Sequence, residues 1–148
     1  MTSCDILTNL SITIMNEYDL QANTFAKKWG LTLSSRYVGC EKNKLWGSKG
    51  DMNRWKCTLR RGKVTYTFDF WMGLGLKGKP TMYEVLAALT HYDVGSFEDF
   101  CSEFGYNRSP LSDYPRVKKI YDGACREFKS VQRLFPEDEA MQELCEIC

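Results

Sequence analysis

The apolar residues of this chain predict an α+β domain, a three-stranded antiparallel sheet with a β-hairpin packed against about five helices. Three observations predict it. Apolar and polar residues alternate with period two on both sides of Arg61-Gly62, as in two paired strands. Elsewhere apolar residues recur at i, i+3, i+4 and i+7, the stripe of an amphipathic helix. The order is helix, three strands, four helices, and such segregation favours an antiparallel sheet covered on one face over a parallel α/β sheet.

The first helix is marked by Ala22, Phe25, Ala26 and Trp29, and Gly30 ends it. A half-buried strand from Leu31 to Val38 follows, with Leu31, Leu33 and Tyr37 on one side and Thr32, Ser34 and Arg36 on the other. Gly39 to Arg54 is polar, basic and glycine-punctuated, which predicts a long loop. The hairpin comes next. Trp55, Cys57 and Leu59 alternate with Lys56, Thr58 and Arg60, and Val64, Tyr66, Phe68 and Phe70 alternate with Thr65, Thr67 and Asp69. Pairing Arg60 with Lys63 brings the apolar faces together, with Cys57 opposite Tyr66 and Arg54 opposite Asp69.

A glycine-rich connection leads to Thr81, which with Glu84 has capping-box spacing before the stripe Met82, Val85, Leu86, Leu89. Ser96 with Asp99 repeats that spacing before Phe97, Phe100, Cys101 and Phe104, and Gly105 closes the helix. Val117, Ile120, Tyr121, Ala124, Phe128, Val131 and Phe135 mark a long helix. A last one begins at Pro136, its acids Glu137, Asp138 and Glu139 suiting the positive helix end.

The chain has 148 residues, the usual span of one domain, so residues 1–148 are expected to form a single unit whose first 18 or so are loosely ordered. Hydrophobic residues make up 43%, enough for a packed interior and against global disorder. Seven cysteines is an odd number, and the first residues lack the basic and apolar regions of a secretion signal, so reduced thiols are expected. No stretch is apolar for the roughly 18 residues a membrane span needs. The expected location is the cytoplasm, with no membrane partner.

Net charge is +1, but its distribution along the chain is uneven. Residues 1–26 hold three acids and no base, residues 27–79 thirteen bases and three acids, and residues 80–148 seven bases and thirteen acids. If these segments occupy different faces, the molecule is a dipole that steers charged partners.

Several motif-like spacings lack the context their chemistry needs. Gly73, Gly75 and Gly78 match the spacing of a dinucleotide fingerprint, but the preceding strand belongs to a hairpin and no strand follows the helix. Gly73, Gly78 and Lys79 also approach a phosphate-binding loop, which would make a nucleotide- or phosphate-binding enzyme the third reading. Pro80 stands where a magnesium-binding hydroxyl belongs. Lys77, Lys79 and the glycine amides keep phosphate contact open. Cys145 and Cys148 form a lone C-x-x-C without the further ligands a structural zinc needs; they share a helical stripe with Met141 and Leu144, which predicts core packing. His91, the single histidine, lies at a helix end where it suits a cap better than a catalytic pair. No catalytic residue, metal site or cofactor is predicted.

Two charged surfaces remain. The basic one comprises Lys42, Lys44, Lys49, Arg54, Lys56, Arg60, Arg61 and Lys63 with Trp46 among them, a combination suited to a nucleic-acid backbone and a stacked base, or to an acidic protein face. The acidic one comprises Asp93, Glu98, Asp99 and Glu103, a row that can imitate phosphates toward a basic partner. Solvated faces carrying ordinary charge account for both equally simply.

Residues Tyr66 to Phe70, Pro80-Thr81, Tyr83 to Leu89 and Tyr92 to Tyr106 (YDVGSFEDFCSEFGY) resemble a group of small proteins of bacteriophages and mobile elements, over roughly residues 55–147. The matching positions are mostly caps and core aromatics. The resemblance implies a non-enzymatic anti-defence protein of the anti-CRISPR kind, acting in the bacterial host cytoplasm by binding and blocking a protein or ribonucleoprotein complex such as a CRISPR effector. It transfers no catalytic residues, and the basic stretch Gly39 to Arg54 has no counterpart in it. A nucleic-acid-binding module using the basic loop and hairpin is the alternative.

Overall fold

A computed structural model describes residues 17–43, 50–75, 78–91 and 95–148. Within them lie helix α1 (Glu17–Trp29), strands β1 (Leu31–Glu41), β2 (Met52–Arg61) and β3 (Val64–Met72), and helices α2 (Met82–Thr90), α3 (Phe97–Glu103), α4 (Tyr114–Leu134) and α5 (Asp138–Ile147). Two short 3-10 turns, Tyr106–Arg108 and Leu111–Asp113, link α3 to α4. The strands form one antiparallel sheet in the order β1-β2-β3, so the architecture is α+β as the apolar periods predict.

The hairpin closes one step later than the sequence suggests. Arg61 pairs with Val64 around Gly62-Lys63, because Gly62 has a φ of +60° and serves as the first residue of the two-residue turn. Cys57 therefore faces Phe68, and Lys56 rather than Arg54 faces Asp69. The difference is two residues, a full pleat period, so the apolar faces coincide in either register.

The long loop is also shorter than predicted. Gly39 and Cys40 pair with Arg54 and Asn53, carrying β1 to Glu41, and β2 begins at Met52. A bulge absorbs Val38 between Tyr37 and Gly39, so a residue that breaks the alternation does not end the strand. Residues 44–49 of the intervening segment lie outside the described residues.

One face of the sheet is covered. Leu31, Cys57, Leu59 and Phe68 pack beneath Phe25 of α1, Val85 and Leu86 of α2, Val131 and Leu134 of α4, and Leu144 of α5. Burying each such aliphatic or aromatic side chain contributes about 1.5–3 kcal/mol. A second cluster, Phe100, Cys101, Val117 and Ile120 with Phe97, Phe104, Tyr106 and Tyr121 against it, joins α3 to the first half of α4. Helix α4 thus belongs to both clusters, and Gly123 falls between the halves.

Both predicted N-caps form, the first as a complete capping box and the second through the serine hydroxyl rather than as a reciprocal box. Thr81 and Glu84 exchange both capping-box hydrogen bonds at 3.1 Å, and the Ser96 hydroxyl accepts from the Asp99 amide at 3.0 Å. The last helix differs. It starts at Asp138, after Glu137 as its N-cap, and buries Ala140 and Leu144, with Met141 and Ile147 half-buried. Cys145 and Cys148 are exposed residues rather than core, because the main cluster takes up the face of α5 that Ala140 and Leu144 define.

Candidate binding surface

The opposite face of the sheet has no helix on it among the described residues. Pairing across the strands arranges its side chains in rows: Thr32, Arg60 and Thr65; then Ser34, Thr58 and Thr67; then Arg36, Lys56 and Asp69; then Arg54 beside Trp71. Thr32, Ser34, Arg36, Arg60, Thr65 and Thr67 are exposed. The Thr58 and Thr67 hydroxyls hydrogen-bond to each other at 3.0 Å, within a polar surface of short side chains flanked by guanidinium groups.

Two of the predicted cations are neutralised on this face. Arg54 donates to Glu41 at 2.7 Å and to Asp69 at 3.0 Å, and its guanidinium lies 5.7 Å from the Trp71 ring centre. The hydrogen bond to Asp69, then that to Glu41, stabilises its charged form further. Lys56 shares Asp69 at 3.5 Å. Arg36 and Arg60 have no ion-pair partner among the described residues, and both flank the Ser/Thr rows. Arg36 stands apart from the basic cluster in sequence, and only the pairing of β1 with β2, which sets it opposite Lys56, brings it into that cluster.

Arg61 lies apart from that surface, being the next residue along β2 and so on the covered side. Its Nε donates to the Trp29 carbonyl at 2.7 Å, and Nη1 to the Leu134 carbonyl at 2.9 Å. The fork grips both Glu137 oxygens at 2.7 and 2.8 Å, and the guanidinium lies 5.4 Å from the Trp29 ring centre and 5.7 Å from that of Phe135. It ties the end of β2 to the C-termini of α1 and α4 and to the start of α5, where a cation meets the negative ends of two helix dipoles. The pair holds the Glu137 carboxyl below its usual pKa, chiefly through the Arg61 hydrogen bonds. Arg61 is therefore reassigned from the binding face to an internal tie.

Of the remaining basic candidates, Lys42 is exposed just beyond β1 and Lys63 is exposed in the hairpin turn. Lys44, Trp46 and Lys49 lie outside the described residues. On the acidic side Glu98, Asp99 and Glu103 are exposed on α3, which packs in the second cluster rather than on the sheet, and Asp93 lies outside the described residues. The two surfaces are thus borne by different parts of the fold.

The glycine connection and the thiols can be placed as well. Gly78 has a φ of +87° and Lys79 is exposed, while Lys77 lies outside the described residues. The amide of Glu84 at the start of α2 is taken by Thr81, and among the described residues every strand pair is antiparallel, so the parallel β-α-β frame of a dinucleotide fold is absent there. His91 is the C-cap of α2, with its ring edge toward Phe104 at 5.2 Å between centres. Burial pushes the Cys57 thiol up to about 11, and burial of its thiol pushes Cys148 to about 11 although that residue as a whole is exposed. Both shifts oppose thiolate formation. Among the described residues no three metal-ligating side chains converge, and no helix is long and apolar enough to cross a membrane.

Fold and surface together define a helix-backed, three-stranded α+β domain with one open, polar, cationic sheet face. Comparison with protein-family models, with curated proteins and with solved structures finds no match.

Proposed function

We propose that this chain is a non-enzymatic binding protein of the phage anti-defence kind, which blocks a nucleic-acid-handling host complex such as a CRISPR effector by docking its open sheet face on a protein surface. The observation that carries the reading is the exposed Ser/Thr field flanked by Arg36 and Arg60, whose charges have no ion-pair partner among the described residues. Short side chains held on a sheet lose little entropy on docking, and free guanidinium groups supply steering and directional hydrogen bonds to an acidic partner face. The acidic residues of α3 are a second contact in this reading.

The alternative is nucleic-acid binding through the same face, favoured by the rows of cations. Neutralisation of Arg54 and Lys56 by Glu41 and Asp69 reduces the charge available to phosphates and favours protein docking.

The test is capture on the tagged protein from a bacterial lysate containing CRISPR effector complexes, with and without nuclease treatment. Direct binding predicts that an effector protein stays bound after nuclease treatment and that the Arg36→Glu/Arg60→Glu variant loses it while keeping its circular dichroism spectrum. Recovery of nucleic acid alone, abolished by nuclease, would replace this reading with the nucleic-acid module. Retention undiminished in the double variant would remove the sheet face from the mechanism.

A further inference from the structure

Strand β1 is an edge strand among the described residues, and a groove of about 740 Å³ is lined by it, by α1 and by residues 79–82. Its walls include Asp19, Asn23 and Lys27 from α1 and Leu31, Leu33 and Ser35 from β1. An unpaired strand edge is a row of backbone donors and acceptors seeking another strand, and proteins usually guard it with lysine, proline, a charged side chain or a bulge. Here the guards come late. Arg36 and the bulge at Val38 protect the second half of β1, whereas Leu31 to Ser35 carries neither charge, proline nor bulge, and this is the half that lines the groove.

The occupant is indicated by the charges on the helix wall. Asp19, Asn23 and Lys27 are spaced at i, i+4 and i+8, one face of α1, with each step about 6 Å along the axis. Gly30 alone joins α1 to β1, so the chain reverses between them and the two groove walls run in opposite directions, Asp19 to Lys27 on the helix and Leu31 to Ser35 on the strand. A two-fold axis at the level of Asn23 and Leu33, the midpoints of the two groove walls, exchanges the ends of this row: Asp19 meets the partner's Lys27, Lys27 meets the partner's Asp19, and Asn23 meets its own equivalent. None of the three makes an ion pair or a side-chain hydrogen bond among the described residues. Leu20, 64% exposed, lines the same groove and supplies apolar area. A surface that complements itself under a two-fold axis is what an isologous dimer requires.

We propose that the β1 edge and the groove beside it form a dimer interface in which two copies pair β1 antiparallel, giving a continuous six-stranded sheet, with the α1 helices crossing charge to charge. The outer sheet faces of the two copies then lie side by side, doubling the docking field proposed above, although the dimer stands independently of that function.

Sedimentation equilibrium of the full chain over a roughly hundredfold concentration range tests the proposal. The wild type is expected to dimerise. Asp19→Lys alone and Lys27→Asp alone each set like charges opposite one another at both contacts, and each should weaken the dimer at least about tenfold. The Asp19→Lys/Lys27→Asp double variant should return to within about threefold of wild type. Both reversals oppose the α1 dipole, so any loss of helix stability is greatest in the double variant, and recovery there cannot come from a structural effect. A wild type that stays monomeric at every concentration, a dimer indifferent to the single reversals, or a double variant no better than the singles overturns the proposal.

Discussion

Replacing Arg61 by alanine should be the most damaging surface-charge change in the protein, because this guanidinium is fixed among four elements rather than presented to solvent. The structure supplies the magnitude. Two charge-assisted hydrogen bonds to the Trp29 and Leu134 carbonyls are lost, and partial hydration of those carbonyls brings each to about 1 kcal/mol. Stacking on Trp29 and Phe135 adds about 0.5 kcal/mol per ring at this degree of exposure. The pair with Glu137 contributes little more, since Glu137 faces water. Arg61→Ala should therefore cost about 3 kcal/mol, lowering Tm by about 6–12 °C for a domain of this size. Urea denaturation followed by circular dichroism measures it: the midpoint should fall at unchanged slope. Arg61→Lys should lie between, since one ammonium cannot satisfy two carbonyls and a carboxylate fork. A loss below about 1 kcal/mol, or a lysine variant equal to wild type, would refute the assignment of Arg61 as the tie.

Three other outcomes follow from the structure. Glu127 on α4 is half-buried and its pKa is raised, chiefly by burial with Arg126 opposing; the folded state holds this proton more readily than the unfolded chain, so ionised Glu127 costs stability above its folded pKa and the cost fades as pH falls through it. Glu127→Gln should accordingly raise Tm at pH 7 by an increment that shrinks on acidification, as thermal melts across pH would show. Gly123, inside α4, has no positive φ, and a Cβ there would meet only the Arg126 guanidinium at 3.8 Å; Gly123→Ala should stabilise by about 0.5–1 kcal/mol in urea titrations. Phe100 is fully buried, with ring centres of Phe104, Tyr121 and Tyr106 at 5.0, 5.4 and 5.7 Å; Phe100→Ala should cost about 3–5 kcal/mol and hasten hydrogen exchange of the α3 amides while those of Leu59 and Phe68 stay protected.

The α+β class, the hairpin, the helix stripes and the capping box at Thr81 were legible in the chain because each is a local effect, carried by residues within a turn or a strand of one another. Alternation of Cys57, Leu59, Tyr66 and Phe68 decides which side chains share a face whatever the register. Tertiary structure decided the rest. Gly39 reads as a loop residue until a neighbouring strand offers Arg54 as its partner, and Arg61 reads as one more surface cation until Glu137, Trp29 and Leu134 are brought to it from distant positions. Cys145 and Cys148 fit an apolar stripe by period, yet the main cluster closes over Ala140 and Leu144 and leaves them outside. The basic surface changed most. Sequence counts charges, whereas the fold pairs Arg54 and Lys56 with Glu41 and Asp69, removes Arg61 and adds Arg36, because whether a charge is available depends on which opposite charge the fold sets within hydrogen-bond reach.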